Sequence, residues 1–208
     1  MKIAIAALTI ATVILPSAAV CVTPLADLAK VEGGHFSLDK QHARIVFSTT
    51  HFGFSTYYAF FDDFDARLDF DAATPEKSTL SVTINLDGIV AADPKLETNL
   101  KSDGFFDIAK FPKAVFSSTS IELRGNASGK VTGDLSLHGL TKPVTLDVTF
   151  NGGGVSPLTN AYILGFDAKG TLRRSDFGIK NFIPVVGDQV TLVISCEFDR
   201  VQKDSGGD

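Results

Sequence analysis

The side chains able to do chemistry in this chain are few: four histidines, a doublet of arginines and two cysteines. His42 and His51 stand nine residues apart with Asp39 just upstream, a combination that in other settings binds a metal or runs Asp/His hydrolysis. The residues around them alternate, and Ala43, Ile45, Phe47 and His51 share one face while His42 falls on the other. Two histidines on opposite faces of a strand reach one metal only through a bulge, so we expect no metal site. His51 looks toward whatever the apolar face encloses, where its ring nitrogens suit a polar headgroup. His35 and His138 read as surface or turn residues. Arg173 and Arg174 offer a clamp for phosphate or carboxylate through charge-assisted hydrogen bonds. The plainer reading, which we favour, pairs Arg174 with Asp176 to close a turn ahead of Gly178. No GxSxG, HExxH, P-loop or dinucleotide fingerprint occurs, and we expect neither catalysis nor a cofactor.

These groups are carried by segments whose period is two. From Tyr58 to Asp71 the even positions include Tyr58, Phe60, Phe64, Ala66, Leu68 and Phe70, while Asp63, Asp65, Arg67, Asp69 and Asp71 hold the odd ones. One face is greasy and the other wet, as in a long half-buried strand. The pattern recurs at Leu80–Leu86, Val131–Leu137, Val144–Phe150, Tyr162–Leu172 and Val190–Phe198. Weaker stretches run over 35–38, 43–51 and 114–123. Turns are expected at Asp39 with Lys40, at Gly125 with Asn126, over 138–142, and at the glycines 152–154.

About eight long strands with one apolar face each leave sticky edges unless the sheet closes. We therefore expect an all-β fold, a single antiparallel barrel, in preference to a two-sheet sandwich. One stretch departs from the rhythm. Asp93 can cap a short helix with Pro94 at its first position, and Leu96 and Leu100 give it an apolar stripe. Phe105–Pro112 follows as an irregular piece with three phenylalanines, placed to cover one end of the barrel.

The chain has 208 residues, 24 acidic against 19 basic, and a formal charge of −5, which disfavours an electrostatic footprint for nucleic acid or anionic lipid headgroups. Lys2 precedes an apolar run ending before Pro16, with small residues to Ala19. Residues 1–19 read as a secretory signal peptide, residues 20–33 as a lead-in, 34–201 as the barrel and 202–208 as a flexible tail. The apolar run is too short for an integral membrane span. Val20 is a poor neighbour for a lipidated cysteine, which argues against an anchor at Cys21. In an oxidising compartment a Cys21–Cys196 disulfide could tie the chain ends. Alternation points Cys196 inward, where an unpaired cysteine serves as a small buried hydrophobe.

The same alternation suits an outer-membrane barrel with lipid outside. Such barrels carry girdles of Trp and Tyr, and this chain has no Trp, three Tyr and 17 Phe. A water-soluble barrel with the apolar side chains inside is the better reading. It is either filled by its own side chains or hollow enough for one small ligand. Small inward residues such as Ala66, Val82, Gly133 and Ala168 favour space.

Four collinear segments go beyond pattern: LDKQHARIVFSTTHFGFS (38–55), LKSDGFFDIAKFPKAVFSST (100–119), GDLSLHGLTKPVTLDVTF (133–150) and RRSDFGI (173–179). Together they resemble the YceI-like family of periplasmic polyisoprenoid-binding proteins over about residues 34–200. The resemblance implies a lipocalin-like barrel holding an isoprenoid or fatty-acyl-type lipid in its lumen. The candidate lining is Phe47, His51, Tyr58, Phe60, Phe64, Leu80, Val82 and Ile84 from the first half. Phe116, Leu135, Leu146, Phe166 and Ile194 follow from the second, with Phe105 and Phe106 as a lid and Arg173 and Arg174 at a mouth. Ala59 stands where the family pattern usually has glycine. The alternative is a ligand-free structural or stress-response module with a packed barrel. Oligomeric state stays open, a dimer included.

At about 0.8 kcal/mol per buried CH₂, a chain of some forty carbons would gain formally over 30 kcal/mol, beyond the ~20 at which affinities saturate. Ordering costs take the difference, so headgroup contacts govern selection more than total affinity.

Overall fold

The computed structural model describes residues 24–202; the expected signal peptide, Cys21 and the tail beyond Gln202 lie outside them. The alternating segments form ten strands: β1 (Gly34–His51), β2 (Ser55–Phe61), β3 (Phe64–Phe70), β4 (Thr79–Asn85), β5 (Ile89–Ala91), β6 (Lys113–Leu123), β7 (Ser128–Leu137), β8 (Leu140–Val155), β9 (Tyr162–Arg173) and β10 (Gln189–Arg200). All pair antiparallel, and β10 returns to β1 from Phe36↔Arg200 to Ser48↔Thr191, closing the sheet. β1 pairs with β2 near one end and with β3 near the other, so β2 and β3 act as one bent strand; β4 and β5 do the same beside them. The result is the expected eight-stranded barrel with one helix, α1 (Pro94–Lys101).

Three local expectations change. The single long strand expected from Tyr58 to Asp71 breaks at Asp62 and Asp63. There the Asp62 N–H donates to the Gly88 carbonyl and the Asp63 carbonyl accepts from the Asn85 N–H at 2.9 Å. Three positions instead of two separate the buried Phe61 and Phe64, and the alternation changes phase. Asp39 and Lys40 make no turn; they sit inside β1, where the register against β10 shifts between Asp39 and Arg44. Nor do the glycines 152–154 form one. They lie in β8, at a register shift against β9. A β-carbon on Gly152 would overlap Pro24, and Leu25 exchanges both backbone hydrogen bonds with Gly153 at 3.1 and 3.2 Å. Bare backbone is what lets the lead-in lie across the strand.

That lead-in closes one end. Leu28 and Val31 are buried against Phe36, Phe70, Phe150, Leu164 and Phe198, a solid plug of apolar side chains. The opposite end is covered by α1 and the segment after it. The Asp93 side chain accepts from the Lys95 N–H at 2.7 Å, Pro94 stands in the first turn, and Glu97 Oε1 accepts from the Ala91 N–H at 3.0 Å. Beyond the helix Asp107 is buried and bonds Lys110 at 2.8 Å. The Phe111 ring packs 4.9 Å from His138. The cap is thereby anchored from both sides.

Candidate functional site

Between plug and cap the barrel holds a cavity of about 530 Å³, lined almost wholly by apolar side chains. Every strand but β5 contributes inward positions, among them Ile45 and Phe47 from β1, Ala59 and Phe61 from β2, Leu80, Val82 and Ile84 from β4, Val131 and Leu135 from β7, Ala168 and Leu172 from β9, Leu192 and Ile194 from β10. Gly133 has no β-carbon to collide with the Phe116 ring, which fills the place a side chain there would take. Leu96 and Leu100 bring the apolar stripe of α1 down onto the cavity.

The covered end is aromatic. Phe47 and Phe61 stack at 5.3 Å, and Phe106 from the cap meets them edge-on at 6.2 and 5.7 Å. Phe105 stacks on Phe182, in the loop between Arg174–Phe177 and β10, at 6.2 Å. His51 stands between Phe52 and Tyr57 at 4.6 and 4.7 Å and lines the cavity near its opening. Pro184 in the same loop follows a cis peptide bond.

Of the residues expected to line the lumen, Phe47, His51, Tyr58, Phe64, Leu80, Val82, Ile84, Phe105, Phe106, Phe116, Leu135, Leu146, Phe166, Arg174 and Ile194 do border the cavity. Phe60 does not. The phase change at Asp62–Asp63 gives the inward positions of β2 to Ala59 and Phe61, so Phe60 falls on the other face. Tyr58 borders the opening but is 64% exposed. Arg173 is exposed and outside the cavity, and no clamp of two arginines forms.

Arg174 is buried, and it does not pair with Asp176. Its Nε–H, Nη1–H and Nη2–H donate to the carbonyls of Gly187, Ile179 and Val186 at 2.8, 3.1 and 2.9 Å. Asp188 instead accepts from the Ser175 N–H and hydroxyl at 2.9 and 2.8 Å. Burial lowers the Arg174 pKa, and nearby Asp188 counters part of the effect. A guanidinium has five N–H donors, so this one fastens the loop and still presents a positive charge to one end of an oily cavity.

Cys196 is a free cysteine in the cavity wall, its thiol pushed up to about 12, chiefly by burial, with Asp167 and Glu197 adding to the effect. The register shift in β1 has a consequence the strict alternation hides. His42 Nδ1 comes to 2.7 Å from Asp39 Oδ2, and Glu197 lies opposite Asp39 on β10. Potential ligand atoms of these three residues lie within 4.8 Å of one another, outside the cavity. His51 is not among them. Sequence reasoning also missed the loop 178–188. Its signal was the apolar run Phe182–Val186 between Lys180 and Gly187, at odds with an ordinary polar turn.

Over residues 36–198 the chain matches the family model described as a YceI-like domain. A UPF0312 protein of Pseudomonas savastanoi pv. phaseolicola is 37% identical over 183 residues, covering 87% of this chain and 93% of its own. Among solved structures, a Campylobacter jejuni YCEI protein is 28% identical with a TM-score of 0.67, covering 74% of this chain and 90% of that one. A polyisoprenoid binding domain from Saccharophagus degradans, 13% identical, shares the fold with a TM-score of 0.60 over 82% of this chain and 100% of its own.

Proposed function

The chain belongs to the YceI-like domain family, and on that premise we propose that its barrel sequesters one long-chain amphiphile, an isoprenoid or fatty-acyl-type lipid, after export to the periplasm. The observation that carries this is the cavity itself: about 530 Å³, apolar on nearly every side, within the range of small-molecule sites. The likeness to the polyisoprenoid binding domain of Saccharophagus degradans supports the ligand class. The site's chemistry fits holding rather than converting. His51 is flanked by aromatic rings and Cys196 is held as a neutral thiol, and among the described residues neither is hydrogen-bonded to a partner that would make it a nucleophile–base pair.

Orientation follows from polarity. The tail lies toward the plug formed by Leu28 and Val31, and the headgroup sits at the capped end near Arg174 and His51. Native mass spectrometry of protein purified from its own periplasm, followed by solvent extraction, tests the proposal. Near-equimolar prenol or acyl lipid is the expected result. Bare protein that also refuses added prenols would overturn it in favour of the ligand-free module.

A further inference from the structure

The exposed aromatic residues of this protein are gathered in one place. Phe52, Phe54, Tyr57, Tyr58 and Phe182 are exposed, Phe54 at 92% and Phe182 at 58%, and among the described residues no other large aromatic side chain is. They belong to two segments, the β1–β2 turn with the first residues of β2 and the 178–188 loop, that are joined by backbone hydrogen bonds. The Phe52 N–H donates to the Val185 carbonyl at 2.6 Å, and the Gly187 N–H donates to the Thr50 carbonyl at 2.9 Å. His51 and Val186 form a β-bridge. Phe52, Tyr57, Tyr58 and Phe182 also border the cavity, so this aromatic edge is its rim.

Two features set the rim apart from an ordinary exposed patch. Phe52 and Phe182 adopt φ of 51° and 60°, the left-handed region that bulky side chains avoid. The Phe52 N–H is held across the two segments by the Val185 carbonyl and the Phe182 carbonyl within its own loop by the Val186 N–H at 2.7 Å, although both rings stay exposed in the free protein. The charge pattern is equally uneven. Residues 44–61 and 177–187 contain no Asp or Glu in a chain with 24, and their charged or titrating side chains are Arg44, His51, Lys180 and the two tyrosines; Asp62, Asp176 and Asp188 stand just outside them, and the exposed Asp103 of the cap is next to Gly104, which packs on Asn181. An aromatic edge whose own two segments carry no carboxylate suits the headgroup region of a bilayer, where amphipathic rings settle.

We propose that this rim docks on the phospholipid bilayer, with Phe54, Val185 and their aromatic neighbours entering the interface so that the cavity opens against the membrane. The purpose assigned to the docking, loading and release of the lipid, rests on the carrier reading; the docking itself does not. A lipid that passes between bilayer and barrel then avoids crossing water.

The chain lacks Trp, so Phe54→Trp supplies one indole at the most exposed point of the rim. With vesicles of phosphatidylethanolamine and phosphatidylglycerol, its emission is expected to shift to the blue and to be quenched by brominated acyl chains. Phe54→Ser with Val185→Ser, neither of which borders the cavity, is expected to reduce co-sedimentation with these vesicles about tenfold or more. Cargo retention in native mass spectrometry should be unchanged. An emission indifferent to vesicles, or sedimentation indifferent to the double substitution, overturns the proposal. So does a blue shift that grows with protein concentration alone while sedimentation equilibrium reports a dimer, which would assign the rim to a second copy. Protein that binds vesicles yet neither carries nor extracts a prenol leaves the docking standing and removes the carrier reading. Loaded protein that ignores vesicles does the reverse.

Discussion

Phe105, on the cap after α1, and Phe182, on the loop before β10, stack with centroids 6.2 Å apart and planes 30° apart across the covered end of the cavity. Their contact joins two segments that are otherwise anchored independently, one by Asp107 and Lys110, the other by Arg174. An aromatic pair adds about 0.5–1.5 kcal/mol beyond area burial. Phe105→Ala is therefore expected to speed release of a bound prenol by about two- to tenfold, read by transfer to acceptor vesicles. The harsher pair Phe105→Asp and Phe106→Asp should cost more in retention than in folding. If melting temperature falls as steeply as retention, the segment is part of the core and not a lid.

Arg174 bears the opposite prediction. Removing its guanidinium leaves three carbonyl acceptors in a buried loop without donors, and each such loss costs about 1–3 kcal/mol. Arg174→Met should destabilise by about 3 kcal/mol or more, a fall of roughly 6–12 °C in Tm for a domain of this size. Arg174→Lys should recover little, since one ammonium cannot span three diverging carbonyls. Arg173→Met, at an exposed position, should leave Tm unchanged. Thermal unfolding followed by circular dichroism separates the three.

The contrast between neighbours shows what pattern can and cannot convey. Alternation at Leu80–Ile84 or Val190–Phe198 announces strands because burial on one face is a local property, repeated every second residue. It fails where two backbone polar groups outside the strand decide the path. The bonds of Asp62 and Asp63 to Gly88 and Asn85 bend β2 into β3 and turn Phe60 away, and nothing within 58–71 signals them. His42 is a similar case: a one-strand irregularity brings it to Asp39, against a strict period of two. The glycines 152–154 are ambiguous for a related reason, since a turn and a docking surface for another backbone both call for residues without side chains.

The pairing of His42 with Asp39 makes a pH prediction. The hydrogen bond that the imidazole donates to Asp39 and the charges of Asp39, Glu197 and Asp199 raise the His42 pKa above its ordinary 6.5. Asp39 is lowered by the same hydrogen bond. Because the folded-state value for His42 is the higher one, its stabilisation is fully present below pH 6.5 and fades as pH rises through the folded value. NMR titration of the imidazole should place the His42 pKa above 6.5, and Asp39→Asn should bring it down. An unchanged value after that substitution would show that the contact is not made in solution.

Cys196 offers a probe of the wall. With its thiol held near 12, a negligible fraction is thiolate at pH 8, and alkylation by iodoacetamide should be far slower than for the unfolded chain. The folded value again exceeds the unfolded one, so stability linked to this group is intact below pH 9 and is lost as pH climbs toward 12. The comparison is made on Cys21→Ser protein, so that one thiol reports. Rapid alkylation of folded protein would mean that the wall opens between β9 and β10.

Filling the cavity distinguishes a hollow barrel that works by volume from one whose space is incidental. Ala168 borders the cavity on β9, opposite Val148 on one neighbouring strand and Ile194 on the other. The cavity is about 530 Å³, so a shorter chain should be held wholly inside and a forty-carbon prenol should leave part of itself at the rim. Ala168→Phe projects a ring into this space. Overpacking is destabilising where a core is already full, but here the ring replaces void, so Tm should hold or rise while retention of a twenty-carbon prenol falls by about tenfold. Retention that survives the substitution, with folding intact, would place the lipid somewhere other than the lumen. A collapse of folding would mean that the space beside Ala168 is not available, and the smaller Ala168→Leu then decides between the two by the same pair of measurements.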